Sequence, residues 1–164
     1  MGARKLVTLA LIAVAVVLTA RYLFWNDMRD VRRRLNAMAE TASVNSSETP
    51  LEKEMKAAQL GKFVTDDVII RTDASAFVGG RPAVVRLVLD AAATRKQVKV
   101  SIADVQVELI DPSTATVFFT LSISGGEPQA PDPAPRQVHA TFLKEHGDWL
   151  LTRGEVLRTL EGRQ

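Results

Sequence analysis

The chain has 164 residues, 46% hydrophobic and 24% charged, with a formal net charge of +2 and no cysteine. That length holds one compact domain plus an accessory segment, because single domains commonly run to about 100–150 residues. A charge so near zero excludes a polyanion-binding surface as the dominant feature, so no nucleic acid partner is expected. The missing cysteines exclude a disulfide framework, a thiolate nucleophile and a cysteine-based zinc site, and leave the redox compartment open.

After Arg4 and Lys5 comes LVTLALIAVAVVLTARYLFW, Leu6 to Trp25, in which Arg21 is the only charge. A helix needs about 20 apolar residues to cross the hydrocarbon core, and a charge near its end can snorkel to the headgroups. Tyr22, Phe24 and Trp25 suit the interfacial belt. A cleaved secretory signal shares the basic start and apolar middle, but cleavage after Ala20 puts Leu18 where a small side chain is needed. The reading adopted is an uncleaved transmembrane signal anchor over residues 6–25, behind a basic tail at 1–5, in a plasma (inner) membrane crossed once. Two arguments then compete over sidedness. The short basic tail MGARK sends the folded domain out of the cytoplasm, whereas Arg29, Arg32, Arg33 and Arg34 just beyond the span favour keeping it inside. An extracytoplasmic domain is the placement adopted, with a cytoplasmic one as the alternative.

From Asp27 to Ala42, Met28, Val31, Leu35, Met38 and Ala42 recur at three- and four-residue steps, the pattern of one helix face. The arginines fall mostly on the other faces, where anionic lipid is the expected contact, so membrane lipid is expected to meet residues 6–34. SVNSSETP breaks the helix. A second helix is expected from Leu51 to about Lys62, supported by Glu52 and Lys56 at i, i+4.

Val68, Ile69 and Ile70 mark a first strand near Asp67 to Thr72. Gly79 and Gly80 then read as a turn, and Pro82 opens a third helix of about a dozen residues. Four strands follow. Gln97 to Ile110 alternates but slips by one residue around Ala103/Asp104, the signature of a β-bulge that bends a sheet. Ala115 to Ile123 alternates after the turn DPST. Gly125 to Pro135, with its four prolines, reads as a long Pro-rich hairpin loop. Gln137 to Lys144 and Trp149 to Leu157 close the sheet, joined by the turn EHGD. The expected class is α+β: an N-terminal membrane helix, then about three helices packed on a curved, mainly antiparallel five-stranded sheet over residues 26–160, with a tail at 161–164.

This order, with FVTDDVIIRTD, VGGRPAVVRLVLD, ADVQVELIDPSTATVFFTLSI and especially KEHGDWLLTRGEV, resembles the nuclear transport factor 2-like superfamily in its SnoaL-like bacterial branch. The resemblance covers about Asp27 to Leu160. It implies a cone, also called cystatin-like, whose curved sheet wraps the helices and leaves a pocket at the open end. It also implies a homodimer through the sheet as an expectation. Members include isomerases, cyclases, dehydratases, secretion subunits and plain association domains, so function must be argued from the site. The steroid isomerases of the group use an Asp base with a Tyr donor, and the only tyrosine here is Tyr22, at the membrane segment. The dehydratases use paired His and Tyr, and this chain offers only His139 and His146.

Four residues are left as ligand-binding candidates. His139 lies on the fourth strand in phase with Thr141 and Leu143. On the fifth, alternation puts Trp149, Leu151, Arg153, Glu155 and Leu157 on one face. If that face is concave, Arg153 and Glu155 project to the pocket or its rim as an ion pair that binds a polar ligand or, the preferred reading, locks the sheet. Asp66 and Asp67 are adjacent and are expected to point to opposite faces. No catalytic set, metal site or cofactor is expected: the histidines lack an accompanying metal-binding signature, and no phosphate-loop Lys-Ser/Thr follows the glycine pair. The functional expectation is a membrane-tethered, non-enzymatic domain that binds a small apolar ligand or a partner protein. The alternative is an isomerase, cyclase or dehydratase acting on a hydrophobic molecule in the cone.

Overall fold

The computed structural model describes residues 3–72, 77–95, 97–125 and 132–159. Among them the order is α1 (Ala3–Ala42), α2 (Pro50–Gly61), β1 (Val64–Arg71), β2 (Phe77–Gly79), α3 (Arg81–Thr94), β3 (Lys99–Asp111), β4 (Thr114–Ser124), β5 (Arg136–Glu145) and β6 (Asp148–Thr159). The class is α+β, with the helices on a six-stranded sheet ordered β2-β1-β6-β5-β4-β3. Every neighbouring pair is antiparallel except β1 and β6, which run parallel. The expected five strands become six because β2 pairs Phe77–Gly79 with Arg71–Ile69, where the sequence suggested only a turn. Three residues are too few for a period of two to register. Residues 126–131 of the Pro-rich loop and the 161–164 tail lie outside the described residues.

The apolar segment 6–25 and the amphipathic stretch 27–42 are continuous in the structure. Both belong to α1, a single helix with no glycine or proline between Ala3 and Ala42 to interrupt it. Leu11, Ile12, Val14, Val16, Val17 and Leu18 are all exposed, and α1 is long and apolar enough to cross a membrane. Farther along the same helix the pattern becomes one-sided: Val31, Leu35 and Ala39 are buried, with Met28 and Met38 half-buried beside them.

The turn after α1 is held by side chains. Thr49 and Glu52 form a reciprocal capping box at the start of α2, the Thr49 N–H donating to Glu52 Oε2 at 2.7 Å and the Glu52 N–H to Thr49 Oγ1 at 3.3 Å. This satisfies two of the otherwise orphaned donors. Lys56 still favours the charged Glu52 through space, but its direct bonds go to Glu48 at 2.6 Å and to the Ser43 carbonyl at 2.8 Å.

The sheet curves through bulges. The slip read near Ala103/Asp104 is present, as a register shift between Ala103 and Gln106 with Asp104 at φ 54°. Inside the curve, Val31 and Leu35 of α1 pack with Val64, Val68, Val84, Val117, Phe142 and Leu151 in one apolar cluster. Phe142 and Val117 are fully enclosed at its centre, and full burial of such a side chain stabilises by about 1.5–3 kcal/mol.

Candidate functional site

The β5–β6 hairpin positions all four candidate residues. Its turn places His146 at φ 52° and Gly147 at φ 91°, the left-handed pair that matches strand twist in a two-residue loop. His146 is exposed there, as a turn residue should be. Toward the body of the sheet, Leu151 opposes Phe142, but the next pair is Arg153 with Thr141, leaving Thr152 as an extra residue. A bulge of this kind reverses which face the following side chains occupy. Gly154 then opposes Ala140 and Val156 opposes Val138 on the inner face, and Arg153 and Glu155 turn outward. The expected single face running from Trp149 to Leu157 is thus corrected: the bulge divides it after Leu151.

Trp149 stays inside, 2% exposed. Its carbonyl accepts from Arg34 Nε at 3.1 Å, the Lys144 ammonium lies 5.5 Å from its ring centroid, and its indole N–H is buried without a hydrogen-bond partner. The other three candidates come together on the outer face. His139 stands in register with Glu155 on one side and Phe118 on the other, and Arg71 lies opposite Glu155 across the parallel pair. The Phe118 and His139 rings stack at 4.4 Å with 12° between their planes, and Phe118 remains 42% exposed. Next to them a concavity of about 310 Å³ is lined by Asp104, Gln106, Phe118, Thr120 and Leu157 among others. The Thr120 hydroxyl donates to the Asp104 carboxylate at 3.1 Å, tying the bulge of β3 to β4.

Asp66 and Asp67 are both exposed, within the stretch where the β1 register shifts between Val64 and Ile69, and Asp66 pairs with Arg81 at 3.0 Å. The arginine run is also only partly free for lipid. Arg34 donates to the carbonyls of Trp149 and Lys62, both at 3.1 Å, and lies over the Phe63 ring at 4.4 Å. Arg32 donates to the Val105 carbonyl at 3.1 Å, and Arg33 is paired with Asp30. This clamping role had no sequence signal beyond the charge itself, since carbonyl acceptors carry no residue type.

The buried polar or charged residues among those described are Thr41 and Thr65, and no group of three His, Cys, Asp or Glu residues is arranged to hold a metal. Among the described residues the outer face offers ring stacking, the His139 imidazole, the Glu155 carboxylate and the Arg153 guanidinium, with the Asp104 carboxylate in the adjoining concavity. That combination can supply stacking, hydrogen-bond and ionic contacts to a bound group.

Solved structures align with nearly the whole chain. A proposed scytalone dehydratase from Novosphingobium aromaticivorans has a TM-score of 0.72 at 15% identity, covering 86% of this chain and 89% of that one. A nuclear transport factor 2-like protein with a cystatin-like fold from the same organism has a TM-score of 0.70 at 18% identity, covering 89% and 90%. A hexachlorocyclohexane dehydrochlorinase from Novosphingobium barchaimii has a TM-score of 0.68 at 8% identity, covering 86% and 91%. The fold is therefore the nuclear transport factor 2-like, cystatin-like cone, as the sequence resemblance implied. No protein-family model and no curated protein matches the sequence.

Proposed function

We propose that this protein is a membrane-tethered interaction domain that binds a partner protein or a small apolar ligand without transforming it. The observation that carries the reading is the division of the β5–β6 pair. The apolar residues fill the cone, while His139, Glu155 and Arg153 stand on the outer face beside an exposed aromatic ring. An acid or base working in the cone needs a titratable group there, and those buried polar groups are the two threonines. The exposed apolar run on α1 supports the tether. The domain is placed on the extracytoplasmic side on the strength of the basic tail, and a second copy of the chain is among the partners the outer face would accept.

Incubating the full chain in nanodiscs with a panel of apolar ketones, hydroxyketones and dienones, followed by NMR, tests the absence of catalysis. No turnover is expected; turnover abolished by His139→Ala would overturn the reading. Alkaline carbonate extraction tests the tether, which predicts that the chain stays with the membrane pellet. Protease access within residues 125–135 on intact cells tests sidedness, and cleavage only after membrane rupture would refute the external placement.

A further inference from the structure

We propose that the β3–β4 turn and the β5–β6 hairpin tip form the bilayer-facing surface of the domain, resting on a zwitterionic headgroup layer, with the α1–α2 turn held farthest from it. This placement depends on the tether proposed above. It follows from which residues of α1 each part of the domain is fastened to.

Near the end of the apolar run, Asp27 binds Lys144 of β5 at 2.6 Å. The next turns of α1 border the hairpin tip itself: Asp30, Arg33 and Arg34 line one concavity with Gly147 and Asp148. The β3–β4 turn joins the same end, because the Lys144 N–H donates to the Ser113 carbonyl at 2.8 Å. Progress along α1 moves the contacts up β3 in reverse chain order, from Arg32 at the Val105 carbonyl to Ser43 Oγ, which accepts from the Val100 N–H at 3.0 Å. Val44 then pairs with Val98. β3 therefore descends toward the bilayer as α1 rises from it.

The distances fit a headgroup contact. Asp30 lies about one and a half helical turns past Trp25, about 7.5 Å along the axis at about 1.5 Å per residue. The polar layer of each leaflet is about 5–7 Å deep, from the difference between the whole bilayer and its hydrocarbon core. Ser46 lies beyond the other end of α1, about 25 Å farther from the hydrocarbon than Trp25 on the same rise. With no glycine or proline in α1, the sequence supplies no hinge that would let the domain swing away.

Charge selects the lipid. The pairs Lys144–Asp27 and Arg33–Asp30 cancel, and Arg29, Arg32 and Arg34 keep their positive charge but are matched by the acids Asp111, Glu145 and Asp148 of the turns. A face so balanced has no requirement for anionic lipid, in contrast to the basic collar expected from the arginine run alone.

The chain has no cysteine, so single labels are clean. Spin labels at Ser113→Cys, His146→Cys and Ser46→Cys would be read on the full chain in phosphatidylcholine vesicles doped with a nickel-chelating lipid. Relaxation severalfold faster at 113 and 146 than at 46 is expected, without any anionic lipid. Equal relaxation at the three sites, or the fastest at 46, overturns the placement while a chain that floats with the vesicles keeps the tether. Enhancement at 113 and 146 that appears only after anionic lipid is added overturns the headgroup assignment. A chain that does not float overturns tether and placement together.

Discussion

The two ends of α1 share one backbone conformation and differ in what surrounds them. From Leu11 to Leu18 the leucine, isoleucine and valine side chains are exposed on every side, whereas from Val31 to Ala39 apolar residues return every three or four positions and are buried against the sheet. A helix apolar all round requires an apolar solvent, and one with a single stripe requires only a core. The same element is therefore long and apolar enough to cross a membrane in one half and packs against the sheet in the other, with no break between them.

That contrast can be broken most forcefully at the core. Phe142→Ala should lower stability by about 3–5 kcal/mol, because a fully enclosed ring leaves a cavity the surrounding sheet cannot collapse. Leu11→Ala should change it by less than about 0.5 kcal/mol, since that side chain is largely exposed. Urea unfolding in detergent micelles, followed by tryptophan fluorescence, would compare the two directly.

Next in size is the clamp where the halves meet. Arg34→Ala removes a half-buried guanidinium from two carbonyls and an aromatic face. A cost of about 1–2 kcal/mol is expected by the same measurement, reduced from the buried-charge value by solvent access. Arg34→Lys should recover only part of it, because an ammonium cannot reach both carbonyls with a planar fork. Thr49→Ala, which opens the capping box, should cost about 1 kcal/mol.

The smallest effect is a pH dependence. Hydrogen bonding to Lys56 holds the Glu48 carboxyl below its ordinary value of 4.5, aided by the Asn45 N–H. A depressed folded value means that this contribution is complete above pH 4.5 and is lost as pH falls through the folded value. Glu52 titrates in the same direction, through the Thr49 N–H and hydroxyl. Glu48→Gln should therefore flatten the acid limb of a stability–pH profile and leave its neutral region nearly level.

Much of the cone was legible because its signals are local. The β3 bulge announced itself when Val98, Val100 and Ile102 gave way to Val105, Val107 and Leu109, an unmistakable change of phase. The β6 bulge hid, because Arg153 and Glu155 continue the odd-numbered sequence after Trp149 and Leu151 and long charged side chains are tolerated at a rim. Its trace was the small Gly154 followed by Val156, the pair that occupies the inner face. The Thr49-x-x-Glu52 spacing was a readable cap. The parallel β1–β6 pairing and the carbonyl partners of Arg32 and Arg34 were not readable, since both depend on chain segments brought together only by the complete fold.

The junction of the two halves of α1 is where the account is most exposed. Hydrogen exchange of the full chain in nanodiscs should find slow amides running without a gap from the apolar run through Asn26–Asp30 to Ala39, as one continuous helix inserted by the proposed tether requires. Rapid exchange confined to Asn26–Asp30 would reveal a hinge there and contradict it.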